Sequence, residues 1–232
     1  WLGAILALTL GLLVFLLIDT LLEAFEVAEL VPGVFQGVPL VFFAALLTWL
    51  VLLAIGSRRE KGRAAASLPP GVYVAGLIAL GIGLHNLGEG LAIGAAFALG
   101  EAALGAFLVI GFTLHNITEG VGIVAPLLPG GEGDGQPQAE RPRLRVFVIL
   151  ALMAGLPAVL GTWVGGFAFS PLLALLFLGI GVGAIWQVIV EVGKLLRRYA
   201  EVEGTALASW ANVGGFLAGI AIMYLTAFFV KF

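Results

Sequence analysis

Long apolar runs separated by short polar or glycine- and proline-rich breaks cover almost the whole chain. Seven runs, at about 1–25, 34–56, 71–99, 103–128, 145–168, 171–193 and 205–230, are each long enough for a helix that crosses a bilayer. The breaks carry ordinary turn residues, as in Val31-Pro32-Gly33 and Leu68-Pro69-Pro70-Gly71. The pattern predicts an all-α polytopic membrane helical bundle, with residues 1–232 forming a single transmembrane domain of seven visible transmembrane helices. Residues 57–70 read as a basic loop. Residues 129–144 read as a flexible loop, because Gly130 to Gln136 holds glycine and acid with almost nothing to bury.

Composition fixes the class. Hydrophobic residues make up 61% of the chain and charged residues 11%, against about half and about 25% in a soluble domain. The solvent, and the first partner, is therefore a lipid bilayer. A net charge of −3 gives no electrostatic case for a nucleic-acid partner. Cysteine is absent, which excludes disulfides and thiolate ligands. Glycine, at 34 residues, is about twice its usual share of roughly 7% and suits helices packed backbone to backbone. The chain opens on Trp1 inside an apolar run, so the natural start is expected upstream, with room for one more helix.

The cations orient the spans. Ten of the eleven lie in three clusters, Arg58 to Arg63, Arg141 to Arg145 and Lys194 to Arg198, leaving Lys231 alone. Alternate threading puts all three clusters on one face, which the positive-inside rule makes cytoplasmic. The expectation is a multi-pass protein of the cell (plasma or inner) membrane with its C-terminus outside.

The chain's two histidines both stand in one repeated pattern: His85-Asn86-Leu87-Gly88-Glu89-Gly90 and His115-Asn116-Ile117-Thr118-Glu119-Gly120. In each, His and Glu are four residues apart and share a helix face, with Asn about 100° round. A short turn between Gly100 and Gly105 makes the two helices antiparallel, which sets His85 level with Glu119 and Glu89 level with His115. All four lie about 22 Å along the axis from that turn, near mid-membrane. A carboxylate there costs about 2.5–3.5 kcal/mol or more. Two at similar depth raise each other's pKa, so that one or both are protonated unless a cation sits between them. A divalent ion with two Glu and two neutral His ligands is charge-neutral. Nitrogen and oxygen donors without sulfur suit zinc, iron(II), manganese or cobalt better than copper(I). Gly90 and Gly120 are expected at close backbone contacts.

Other polar residues inside the spans are fewer. Asp19, Glu23 and Glu26 form a stripe near the outer end of the first helix, read either as an acidic mouth that draws cations or as a solvated helix end. Gln187 and Glu191 share a face of the sixth helix, where they could lie on an exit path, complete the metal site, or simply pair with Lys194. Ser209 and Asn212 read as hydrogen-bonding residues of helix packing.

The two His-Asn motifs resemble those of the ZIP (Zrt/Irt-like) family of divalent metal transporters, whose fourth helix carries His-Asn-x-Pro-Glu-Gly and whose fifth carries a related motif. Gly155 to Gly161 and Gly183 to Glu191 look like the family's sixth- and seventh-helix motifs. The resemblance implies eight helices in the full protein with both termini outside, so that removing the first leaves the threading above. It also implies a binuclear site: His85, Glu89, His115 and Glu119 around one metal, with Asn86, Asn116 and the shared glutamates around the second. The chain departs from the family at Gly88 and Thr118, which replace the motif proline. It departs again at Ala158, where many bacterial members have a glutamate, and at Asn116, where others have an acid. Both of these losses weaken the second metal position. The function expected is transport of a divalent metal toward the cytoplasm, zinc first, with iron, manganese, cobalt and cadmium as further cargo, and a homodimer is compatible with it. The competing readings are an intramembrane metalloenzyme and a metal-sensing relative without transport. The absence of HExxH, and the little room that four protein ligands leave for a substrate, argue that the chain is not an enzyme.

Overall fold

The computed structural model describes residues 2–61, 70–127, 142–168 and 170–230. Most of the two expected loops, at 57–70 and 129–144, lies outside them. Among the described residues there are seven long helices: α1 (Leu2–Glu29), α2 (Gly37–Lys61), α3 (Pro70–Ala98), α4 (Ala102–Val124), α5 (Leu144–Ala168), α6 (Pro171–Glu203) and α7 (Trp210–Val230). All seven are long and apolar enough to span a bilayer. In that solvent a helix satisfies its own backbone, so apolar runs of this length have no cheaper conformation.

Two ends differ from the sequence expectation. The sixth helix was expected to stop near residue 193 and continues to Glu203, where Gly204 takes a left-handed φ of 63° and its N–H caps Ala200 and Glu201. The extra turns are amphipathic: Leu196 and Tyr199 pack with Leu2 and Leu6 of α1, while Arg197 pairs with Glu201 in solvent at 2.9 Å. Charge density ended the apolar run without ending the helix. The seventh helix starts at Trp210, not 205, after a turn in which Ser209 Oγ accepts the Asn212 N–H at 3.3 Å. Buried Asn212 also donates to the Leu207 carbonyl at 3.0 Å, so these two polar residues serve local structure.

The helices pair in parallel as α1 with α7, α2 with α6, and α3 with α5, and each pair is knit by glycine. The α3–α5 seam is the most extensive. A Cβ on Gly90 would collide with the Ala158 carbonyl, and one on Gly161 with the Leu87 carbonyl. Without side chains the two backbones meet directly, the small-residue packing of membrane helices. Pro157 sits inside α5 and gives no N–H to the preceding turn. There Gly83 presses against the Met153 carbonyl and Asn86 donates Nδ2 to the Ala154 carbonyl at 3.0 Å. Gly90 thus meets its expectation, whereas Gly120 does not: a Cβ there would enter open space.

The main apolar core joins Leu12 and Leu16 of α1, Ile78 and Ile82 of α3, Ile185 and Val188 of α6, and Met223 of α7. Large apolar side chains such as Phe43 and Leu47 on α2, Ile117 on α4, and Leu152 and Trp163 on α5 stay exposed. On helices of spanning length these are surfaces for lipid. Function therefore has to be sought in the polar side chains that the same helices bury.

Candidate functional site

The turn from α3 to α4 is three residues, with Gly100 at φ 82°. So short a turn forces an antiparallel hairpin and fixes its register, because each residue advances the helix by about 1.5 Å. The register appears in one bond: Asn116 of the second motif donates Nδ2 to Glu89 Oε2 of the first at 3.2 Å. Glu89 also faces its own helix partner, with His85 Nε2 lying 3.4 Å from Oε1. His85 and Glu89 are each only 5% exposed, and Asn86 2% and Glu119 3%. Glu119 lines a narrow cavity with Thr9, Leu12, Leu16, Ile82 and Met223, within electrostatic reach of both Glu89 and His85. His115 lies on α4, but its side chain is outside the described residues.

Gly88 and Thr118, which stand where the motif proline was expected, leave α3 and α4 unbroken. Gly88 instead faces Leu178 of α6, and Thr118 reaches across to Met223 Sδ at 3.3 Å. Ala158 sets its backbone against Gly90, directly beside Glu89.

The acidic stripe of α1 divides. Glu26 is exposed, whereas Glu23 is partly buried and interacts electrostatically with His85, Glu89, Asp19 and Glu26. Glu23 thus brings a carboxylate of a third helix within electrostatic reach of Glu89 and His85. One turn earlier, buried Thr20 meets His85 Nδ1 at 3.1 Å. Residue-by-residue reading passed over Thr20. The available signal was its position, since Thr9, Thr20 and Glu23 fall on one helical stripe of an otherwise apolar face.

Gln187 and Glu191 sit lower. Gly181 of α6 packs against His85, which puts Gln187 about 9 Å and Glu191 about 15 Å further along the axis. Glu191 Oε1 accepts from Gln187 Nε2 at 3.1 Å and from Lys194 Nζ at 2.9 Å. The lysine pairing expected of a helix end is present, and it coexists with the bond to Gln187.

The donor set suits a hard or borderline cation: an imidazole, carboxylates and the amide oxygens of Asn86 and Asn116. Those two oxygens, like that of the more distant Gln187, are buried without a hydrogen-bond donor among the described residues. Among the same residues, which exclude the His115 side chain, no three His, Asp or Glu side chains stand close enough to hold one ion. The two motif glutamates stand about one helical turn apart in depth and within electrostatic reach of each other, and Glu89 accepts a hydrogen bond from the Asn116 amide. No protein-family model, curated protein or solved structure matches the chain.

Proposed function

We propose that the protein moves a divalent metal ion across its membrane toward the cytoplasm, in the manner of the ZIP transporters its motifs resemble. Zinc is the first candidate cargo, and iron, manganese, cobalt and cadmium follow. The observation that carries the reading is the Asn116–Glu89 bond, which joins the two His-Asn motifs at one depth inside an apolar bundle. Membrane interiors tolerate carboxylates where they line an ion path. The buried and partly buried polar groups here also follow one another along the bundle. Glu23 lies within electrostatic reach of Glu89 and His85, and Gln187 and Glu191 follow toward the end of the bundle where the basic clusters lie. By the positive-inside rule that end is cytoplasmic, so the series runs inward from the α1 acids.

Uptake into proteoliposomes across a panel of divalent ions tests the proposal. Saturable zinc uptake in the presence of protein is expected. Uptake no faster than in protein-free vesicles, for every ion of the panel, would remove it.

Charge predicts the stoichiometry. Two dications against Glu89 and Glu119 would leave two positive charges uncompensated in a low-dielectric site, so a second tight ion is unfavourable. Glu191 is engaged with Lys194 and stands away from the centre, which makes Glu23 the nearer third carboxylate. One tightly bound ion per chain is expected by elemental analysis of the purified protein. Two ions, both retained after Glu23→Gln, would contradict the charge argument.

A further inference from the structure

Along the parallel α2–α6 seam, contact recurs every four residues on both helices. A Cβ on Gly179 would press on the Val41 carbonyl, and one on Gly183 would collide with the Ala45 carbonyl. The next step of the same register sets Trp49 level with Gln187. Here glycine gives way to two large side chains with polar ends. Both ends are buried, and among the described residues neither Trp49 Nε1 nor Gln187 Oε1 has a hydrogen-bond partner. Folded proteins seldom leave such groups alone. The two are complementary, since an indole N–H only donates and an amide oxygen only accepts. The Gln187 amide is held in this sense by Glu191, whose Oε1 accepts from Nε2 at 3.1 Å.

We propose that the α2–α6 seam holds a structural water at this level, accepting from Trp49 Nε1 and donating to Gln187 Oε1. One water serves a donor and an acceptor at once, and such a bridge is nearly as favourable as a direct hydrogen bond. A cation is the poorer occupant, because it would face the positive end of the indole N–H. The water lies on the inner side of the two motifs. Gly181 packs against His85, and Gln187 stands about 9 Å further along α6 toward Glu191. One consequence rests on the transport reading: a cation leaving the motifs meets an oxygen ligand inside the bundle before it reaches Glu191. The water site itself rests on Trp49 and Gln187 alone.

Hydroxyl-radical labelling by a brief X-ray pulse oxidises side chains beside bound water, and can be read on the full chain in lipid nanodiscs. Two other tryptophans calibrate it. Trp186, 48% exposed in the middle of α6, faces lipid and gives the background, while Trp210, 92% exposed at the start of α7, gives the upper level. Trp49 should be oxidised well above Trp186. Gln187→Leu should bring it down to the Trp186 level, and Gln187→Met serves the same purpose should the leucine variant not fold. Trp49 at the Trp186 level in the wild type, or labelling unchanged by loss of the amide, overturns the water site. An experimental structure with Trp49 bonded directly to Gln187 overturns it too. Zinc uptake by the same proteins should fall along with the labelling. Lost labelling with unchanged uptake overturns the water's part in the ion path. A wild type that moves no divalent ion, with labelling as expected, removes the transport reading and leaves the water site standing.

Discussion

Glu89→Ala should reduce metal uptake to the level of protein-free vesicles while the protein still folds and inserts. Glu89 touches both motifs, since His85 Nε2 faces one of its oxygens and Asn116 Nδ2 donates to the other. Removing a charged ligand from the centre should cost more than the roughly 10–100-fold typical of losing an outer-shell partner. Stability moves much less, because two effects oppose. The Asn116 amide loses its acceptor, at about 1–3 kcal/mol for a buried polar group left unpaired. The bundle no longer buries a carboxylate, which relieves about 2.5–3.5 kcal/mol on insertion scales. The balance is near zero or favourable, so the melting temperature in detergent should hold or rise. Glu89→Gln keeps the shape and an acceptor for Asn116 without the charge, and should be equally inactive. Full uptake by well-folded Glu89→Ala protein would end the assignment of Glu89.

The largest structural effect is expected at Gly161. Any side chain there collides with the Leu87 carbonyl, which lies between Asn86 and Gly88 of the first motif. Gly161→Leu must push α5 off α3 along the seam that Gly90 and Gly161 close together. Overpacking costs typically about 1–3 kcal/mol, and backbone against backbone leaves no flexible side chain to yield. A fall in melting temperature is expected, together with loss of the Asn86 bond to Ala154 and hence of uptake. Gly155→Ala is the control on the same helix, where a Cβ would meet nothing within 4 Å. Its stability should match the wild type. Equal melting of Gly161→Leu and wild type would show that the α3–α5 seam does not hold the bundle.

The spans were readable from sequence because a bilayer leaves a helix no other way to satisfy its backbone, so length and polarity suffice. The α3–α4 register was readable for a related reason. Its turn is short and the rise per residue is fixed, and these bring Glu89 level with Asn116. The end of α6 was not readable from hydropathy, since Arg197 and Glu201 interrupt the apolar run while Leu196 and Tyr199 continue it on the packed side. Gly120 misled for a different reason. A glycine after a motif glutamate signals close approach only where a neighbour's backbone meets it, as that of α5 does at Gly90, whereas a Cβ on Gly120 would meet nothing within 4 Å. Thr20 and Glu23 show the deeper limit. The polar stripe of α1 marks a buried face, but which helix that face meets depends on the packing of α1 against α3 and α6.

On the proposed function, the two His-Asn motifs hold the transported ion between α3 and α4. Anomalous diffraction from crystals of the protein grown with cadmium would test it most directly. A peak is expected at the level of Glu89 and Asn116, in contact with Glu89 and with His85 Nε2. Cadmium found only at the acidic ends of the helices, with nothing between the two motifs, would contradict it.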